Sequence, residues 1–225
     1  YTRFSDIRNK EYNLPIEPNY KLFVEPSELV EVYEHIINGF ITGSMCSKVF
    51  KKNCLKNVEV NPKDVSIKRF AEDAYHSFSV MANVNSVLYL NENLYFYREN
   101  SDGASERVFE RDLDYFNEKY VFQLLQDCLP KWGMNSKEYK DMLFARNFNE
   151  TVYYMLKYYR AAKSKRRRCE IVEFDWKKYL LPEVLGGLSE NQYISQSYLK
   201  VWRAFSRNAH LEIYIREKFK KYIGW

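Results

Sequence analysis

Between Ser105 and Ala162 apolar residues recur at a period close to 3.6, and Pro130 divides the pattern in two. Val108, Leu113, Phe116, Phe122 and Leu125 mark the first stretch; Tyr139, Leu143, Phe148, Val152 and Leu156 mark the second. A stripe with that spacing buries one side of a helix and cannot serve a strand, whose period is two. The spacing therefore predicts helices up to Cys128 and over about Ser136–Ala162. Only seven glycines and six prolines occur in 225 residues, so tight turns are few and long helical elements are favoured.

The rest of the chain follows from similar signals. Pro26 starts a helix through about Asn38, with Leu29, Val32, Tyr33 and Ile36 on one face. Phe40–Phe50 is an extended segment or a closely packed helix, and Lys52–Asn57 a short helix. Phe70, Ala74, Phe78 and Met81 share a helix face, which leaves Asp73 and His76 together on the neighbouring one. Val87–Leu90 and Leu94–Arg98 are expected to pair as a hairpin around Asn91-Glu92-Asn93. Tyr1–Tyr20 is polar, broken by Pro15 and Pro18, and offers no strand signal. Glu170–Tyr179 reads as a short strand and turn, Leu180–Leu185 as another turn, and Glu190–Tyr222 as a last helix. The fold class expected is α+β and predominantly α-helical: a mixed region, 1–105, with one short hairpin or sheet, then a helical region, 106–225.

With 46% hydrophobic and 17% aromatic residues the chain can bury a large core, which excludes disorder throughout. No run of 18 apolar residues exists and no signal peptide is visible. Cys46, Cys54, Cys128 and Cys169 lie far apart without metal-ligand spacing, and the three histidines are scattered. They read as free thiols in a reducing compartment, with no Cys/His metal site. The net charge of +5 is uneven, concentrated in Lys163–Arg168 and in the tail. Such clusters suit phosphate-bearing partners, although for any one such run a solvated loop between helices is the better reading. No nucleic-acid signature accompanies it.

The residues that speak to chemistry are Gly43-Ser44-Met45-Cys46-Ser47-Lys48-Val49-Phe50-Lys51-Lys52, then Glu72-Asp73, then Leu94-Tyr95-Phe96-Tyr97-Arg98 followed by Ser101 and Ser105. On composition alone, Glu72-Asp73 is a carboxylate pair placed at the positive end of a helix dipole. The three segments, in this order and spacing, resemble the acceptor-side half of family-two glycosyltransferases of the GT-A fold. These are inverting enzymes of bacterial surface-glycan synthesis. The resemblance covers about the first half of the chain.

That resemblance implies a role for each residue. Asp73 is the general base that takes the proton of an acceptor hydroxyl, and Glu72 is its neighbour. Lys48, Arg98 and His76 contact the acceptor or the diphosphate. The donor is a nucleotide sugar, and the acceptor is a glycan or a lipid-linked glycan. The resemblance places the donor and a divalent metal, Mn or Mg, on an N-terminal half that ends in Asp-x-Asp. Nothing before Glu25 fits such a half. The expectation is a C-terminal piece of a longer enzyme, inactive by itself and without a cofactor of its own. Asp112-Leu113-Asp114 has the letters of the metal motif but falls within a helical pattern, where residues two apart do not face each other.

A second class of function is a non-catalytic basic helical module that docks on a membrane surface or a protein partner. The tail from Tyr193 to Trp225 carries Tyr198, Val201, Trp202 and Phe205 at helical spacing with Arg203 and Arg207 off that face. Such a face lies in a membrane interface or packs on the preceding helices. The location expected is cytoplasmic, with any membrane contact peripheral and at the inner face.

Overall fold

The structure is a computed structural model and describes residues 3–6, 20–41, 43–56, 58, 71–90, 93–97, 113 and 119–214. Its elements are β1 (Arg3–Asp6), β2 (Tyr20–Phe23), α1 (Pro26–Ile37), α2 (Glu72–Met81), β3 (Val87–Leu90), β4 (Asn93–Tyr97), α3 (Lys119–Cys128), α4 (Lys137–Ala161), α5 (Lys165–Glu173), α6 (Pro182–Gly186) and α7 (Gln196–Ser206). Single 3-10 turns occupy Met45–Ser47, Lys52–Leu55 and Trp176–Tyr179. The class is α+β and predominantly helical, and every described strand precedes residue 105.

α4 is the frame on which the rest assembles. Ser136 accepts the Tyr139 amide at its start, and its inward face is buried from Leu143 to Tyr159. α1, α3, α5, α6 and α7 all pack against it. α1 begins with Pro26 in its first turn, and the Glu28 carboxylate accepts the Val24 and Glu25 amides (2.9 and 3.1 Å), which holds its pKa below the usual range. α1 ends at Asn38-Gly39, where Gly39 has φ +82°. Arg146 of α4 closes that end: its guanidinium donates to the Ile36 carbonyl and pairs with Glu150 at 2.6 Å.

One buried cluster runs through elements on both sides of residue 105. Tyr33 of α1 stacks on Trp132 with centroids 4.2 Å apart and planes 5° from parallel. α2 packs on α3 in the same way across the two regions.

The strands pair differently from the sequence expectation. β3 and β4 form no hairpin with each other. β3 runs antiparallel to β2, with Leu22 opposite Leu88 and Tyr20 opposite Leu90. β4 runs parallel to β1, with Phe4 opposite Tyr95. The polar N-terminal stretch thus supplies both partners, and two two-stranded ladders replace the single hairpin. Short strands with distant partners carry no local turn signal, so the neighbouring run was the wrong choice of partner.

Three other expectations are corrected. Glu170–Tyr179 is not a strand: α5 runs to Glu173 and a 3-10 turn follows. The basic run is not a loop, because Ser164 accepts the Arg167 amide at 3.1 Å and starts α5 within it. The last helix is not continuous, because Asn208 takes φ +51° and breaks it after α7; residues 210–214 are helical again. The apolar face of α7, with Leu199, Val201, Trp202 and Phe205, is buried against α4 and α5. Asp112 and Asp114 lie outside the described residues. Leu113 between them is buried, and its carbonyl accepts the Tyr179 hydroxyl at 2.9 Å.

Candidate functional site

α2 begins without a side-chain cap, with Glu72 and Asp73 as its first two residues. Their charge offsets the unpaired amides of the first turn. Asp73 is exposed, while Glu72 and His76 are half-buried one turn apart. Glu72 Oε2, His76 Nδ1 and Ser77 Oγ are buried with no hydrogen-bond partner among the described residues. His76 stands edge-on to Tyr75, with centroids 6.2 Å apart, and no hydrogen bond or ion pair joins it to Asp73.

The segment 43–48 is laid directly against this helix start. A Cβ on Gly43 would sit 2.2 Å from Ala74 Cβ and 2.4 Å from its Cα, so only glycine allows the approach. The turn Met45–Ser47 packs on α2 and folds back on itself: Ser47 Oγ donates to the Ser44 carbonyl at 3.1 Å. Lys48 then turns inward. Its Nζ donates to the Ser44 carbonyl at 2.8 Å and to Ser47 Oγ at 3.4 Å.

Burial pushes the Lys48 amine down to about 7, while the charges of Asp73 and Cys46 pull it upward. Near neutral pH the amine is thus divided between its charged and neutral forms. Two residues far apart in sequence, Lys48 and Asp73, become electrostatic neighbours. That juxtaposition supplies a carboxylate open to solvent and an adjoining cation whose charge depends on pH.

On its other side Lys48 lines a groove of about 540 Å³ with Phe50, Asn53, Asn83, Asn85 and Leu88. Asn83 is itself fixed by donating to the Ser79 carbonyl at 3.0 Å. The amide side chains can hydrogen-bond hydroxyls, and Phe50 and Leu88 offer apolar surface beside them. Neither Gly43 nor the groove asparagines carried a role in the sequence reading. The signal for Gly43 was its place at the head of the Gly-Ser motif. The asparagines, dispersed over two loops, gave none.

Of the five expected site residues, the structure brings Lys48, Glu72, Asp73 and His76 to one end of α2. Arg98 lies outside the described residues, as do Ser101 and Ser105. Among the described residues no group of three Cys, His, Asp or Glu side chains is placed to hold a metal ion. Also among the described residues, no helix is long and apolar enough to cross a membrane. The chain matches no protein-family model, no curated protein and no solved structure.

Proposed function

We propose that this chain supplies the acceptor side of an inverting, nucleotide-sugar-dependent glycosyltransferase, with Asp73 as the general base. The supporting observation is that Lys48, laid against the α2 start, acts electrostatically on Asp73 and also lines the amide-bearing groove that reaches the C-terminal end of α2. In this reading an acceptor hydroxyl approaches the exposed Asp73 carboxylate. Asp73 takes its proton as the oxygen attacks the anomeric carbon, and the nucleoside diphosphate departs from the opposite face. Configuration inverts as a result. The Lys48 ammonium offers a donor to the phosphate side. Glu72 and His76, each with a buried polar atom unpaired among the described residues, stand beside Asp73 on the acceptor side. The divalent metal and the donor belong to a nucleotide-sugar half, and no step here passes through a metal.

The test is Asp73→Asn in the full-length enzyme. General-base assistance contributes about 10²–10⁴ in rate, so transfer should fall by that factor. Donor affinity, measured by calorimetry with uridine and guanosine diphosphate sugars, should stay unchanged. Retention of more than about a tenth of wild-type turnover would remove Asp73 from the role, since the loss would then lie below that range.

A further inference from the structure

The junction of α4 and α5 carries Lys163, Lys165, Arg166 and Arg167 within five positions. Lys163 and Lys165 are exposed, and the Arg166 side chain is 91% exposed. Local stability does not account for this placement, because cations in a first helical turn are opposed by the helix dipole. Glu170 pairs with Arg166 (3.2 Å) and Arg167 (3.1 Å), and by sequence the corner from Lys163 to Glu173 holds five Lys and Arg residues against two Glu.

The same flank is also apolar. The Arg168 guanidinium lies over the Tyr159 and Tyr214 rings, at 5.7 and 6.0 Å. His210 Nε2 stands 3.8 Å from Glu173 at the far end of α5. Together the two contacts lay residues 210–214 antiparallel along α5, with Tyr214 beside Arg168 of the basic run and Leu211 next to His210, towards the Glu173 end. Leu211 is 71% exposed and Tyr214 41%. A part-exposed tyrosine beside the cations, followed along the same segment by a leucine facing water, matches an anionic bilayer surface, which takes both charge and apolar insertion. A nucleic acid would account for the cations and leave the exposed leucine without a purpose.

We propose that this flank, Lys163–Arg168 with Leu211 and Tyr214, docks the protein on an anionic phospholipid bilayer. The apolar face of α7 is sealed in the core, so the contact is made by side chains outside it. Binding is read without any catalytic step, and so stands or falls separately from the glycosyltransferase reading.

The experiment is flotation of the chain with phosphatidylcholine vesicles, with and without phosphatidylglycerol, at low salt. The chain should float only with the anionic vesicles. Each near-surface cation adds roughly fivefold, so Lys163→Gln/Lys165→Gln/Arg166→Gln should weaken binding on the order of 100-fold. Leu211→Ser should weaken vesicle binding several-fold while leaving binding to a single-stranded RNA oligonucleotide unchanged. Circular dichroism would confirm that these exposed positions leave the fold intact. The proposal is overturned by no flotation with anionic vesicles, by equal binding of the triple variant, or by tighter RNA binding together with indifference to Leu211→Ser.

Discussion

On α4 the buried Asn147 gives its amide to the Tyr179 carbonyl (3.2 Å) and accepts the Leu181 amide (2.9 Å). On α2 the buried Ser77 has no partner for its hydroxyl among the described residues, and Glu72 and His76 each keep a buried polar atom unpaired. The α4 region repeats its device. Asn149 holds Tyr193 and Ser195 by their backbone groups, and Asn191 donates to the Asp141 carbonyl at 2.7 Å. Its amide side chains join segments that have no regular pairing of their own. The α2 region instead combines a buried amine, unpaired acceptors and a groove. Satisfied polar groups fix one arrangement, while buried unsatisfied ones cost stability and call for an explanation of their own.

The largest effect should come from the satisfied side. Asn147→Leu keeps the volume but strips partners from two buried backbone groups, Tyr179 O and Leu181 N. Each such loss costs about 1–3 kcal/mol, so roughly 3 kcal/mol of stability should disappear, read by urea unfolding. A variant within 1 kcal/mol of wild type on that scale would show that the loop is held by packing alone.

Next is the close contact that builds the site. Gly43→Ala places a methyl 2.2 Å from Ala74 Cβ. Overpacking of this kind costs about 1–3 kcal/mol, unless segment 43–48 lifts away from α2. Lifting would release the Lys48 amine to water and return its pKa towards the ordinary lysine value. Nuclear magnetic resonance titration of that amine separates the two responses. An unchanged Lys48 pKa in a variant of unchanged stability would refute the contact.

Lys48 also sets a pH dependence of the α2 region. Its pKa is about 7 folded against 10.5 for a free lysine. Below pH 7 both states carry the proton, and the cost of burying the charge is present in full. Above pH 7 the unfolded chain holds more protons than the folded one, so stability rises with pH. The slope is at most about 1.4 kcal/mol per pH unit. Cys128 works in the other direction, because burial raises its thiol from 9.0 to about 11 and its contribution is lost above pH 9. The window to measure is therefore pH 7–9. Lys48→Met should flatten the rise there, and an equally steep rise in the variant would assign it to another group.

The contrast between the two regions was only partly legible in the sequence. α2 and α4 could be placed because their apolar residues repeat at 3.6 and because Ser136 precedes a charged first turn. α5 was hidden by Ile171-Val172, whose β-branched side chains suggest a strand, although the Ser164 cap was in plain view. The break at Asn208 lay inside a stripe that continues past it, and asparagine is one of the few residues besides glycine that accepts a left-handed backbone. Partners of the short strands depended on long-range packing that no local pattern records. At the site, resemblance brought Lys48 and Asp73 into one argument, whereas the physical cause of their meeting is the Gly43–Ala74 approach. The orphaned atoms of α2 could not be foreseen, because an unmade hydrogen bond leaves no trace in a sequence.

The smallest effect is the sharpest check on the comparison. Ser77 is fully buried on α2 with no partner for Oγ among the described residues, so its hydroxyl is desolvated without return. Ser77→Ala removes that penalty and gains helix propensity, while the volume lost is a single oxygen. Stability should rise by up to about 1 kcal/mol, the opposite sign from Asn147→Leu although both replace a buried polar side chain with an apolar one. If Ser77→Ala destabilises by as much as 1 kcal/mol, the hydroxyl has a partner and α2 is as fully satisfied there as α4. If stability rises but the transfer proposed for Asp73 falls, the unpaired hydroxyl is kept for that proposed function, and the cost of burying it is borne there.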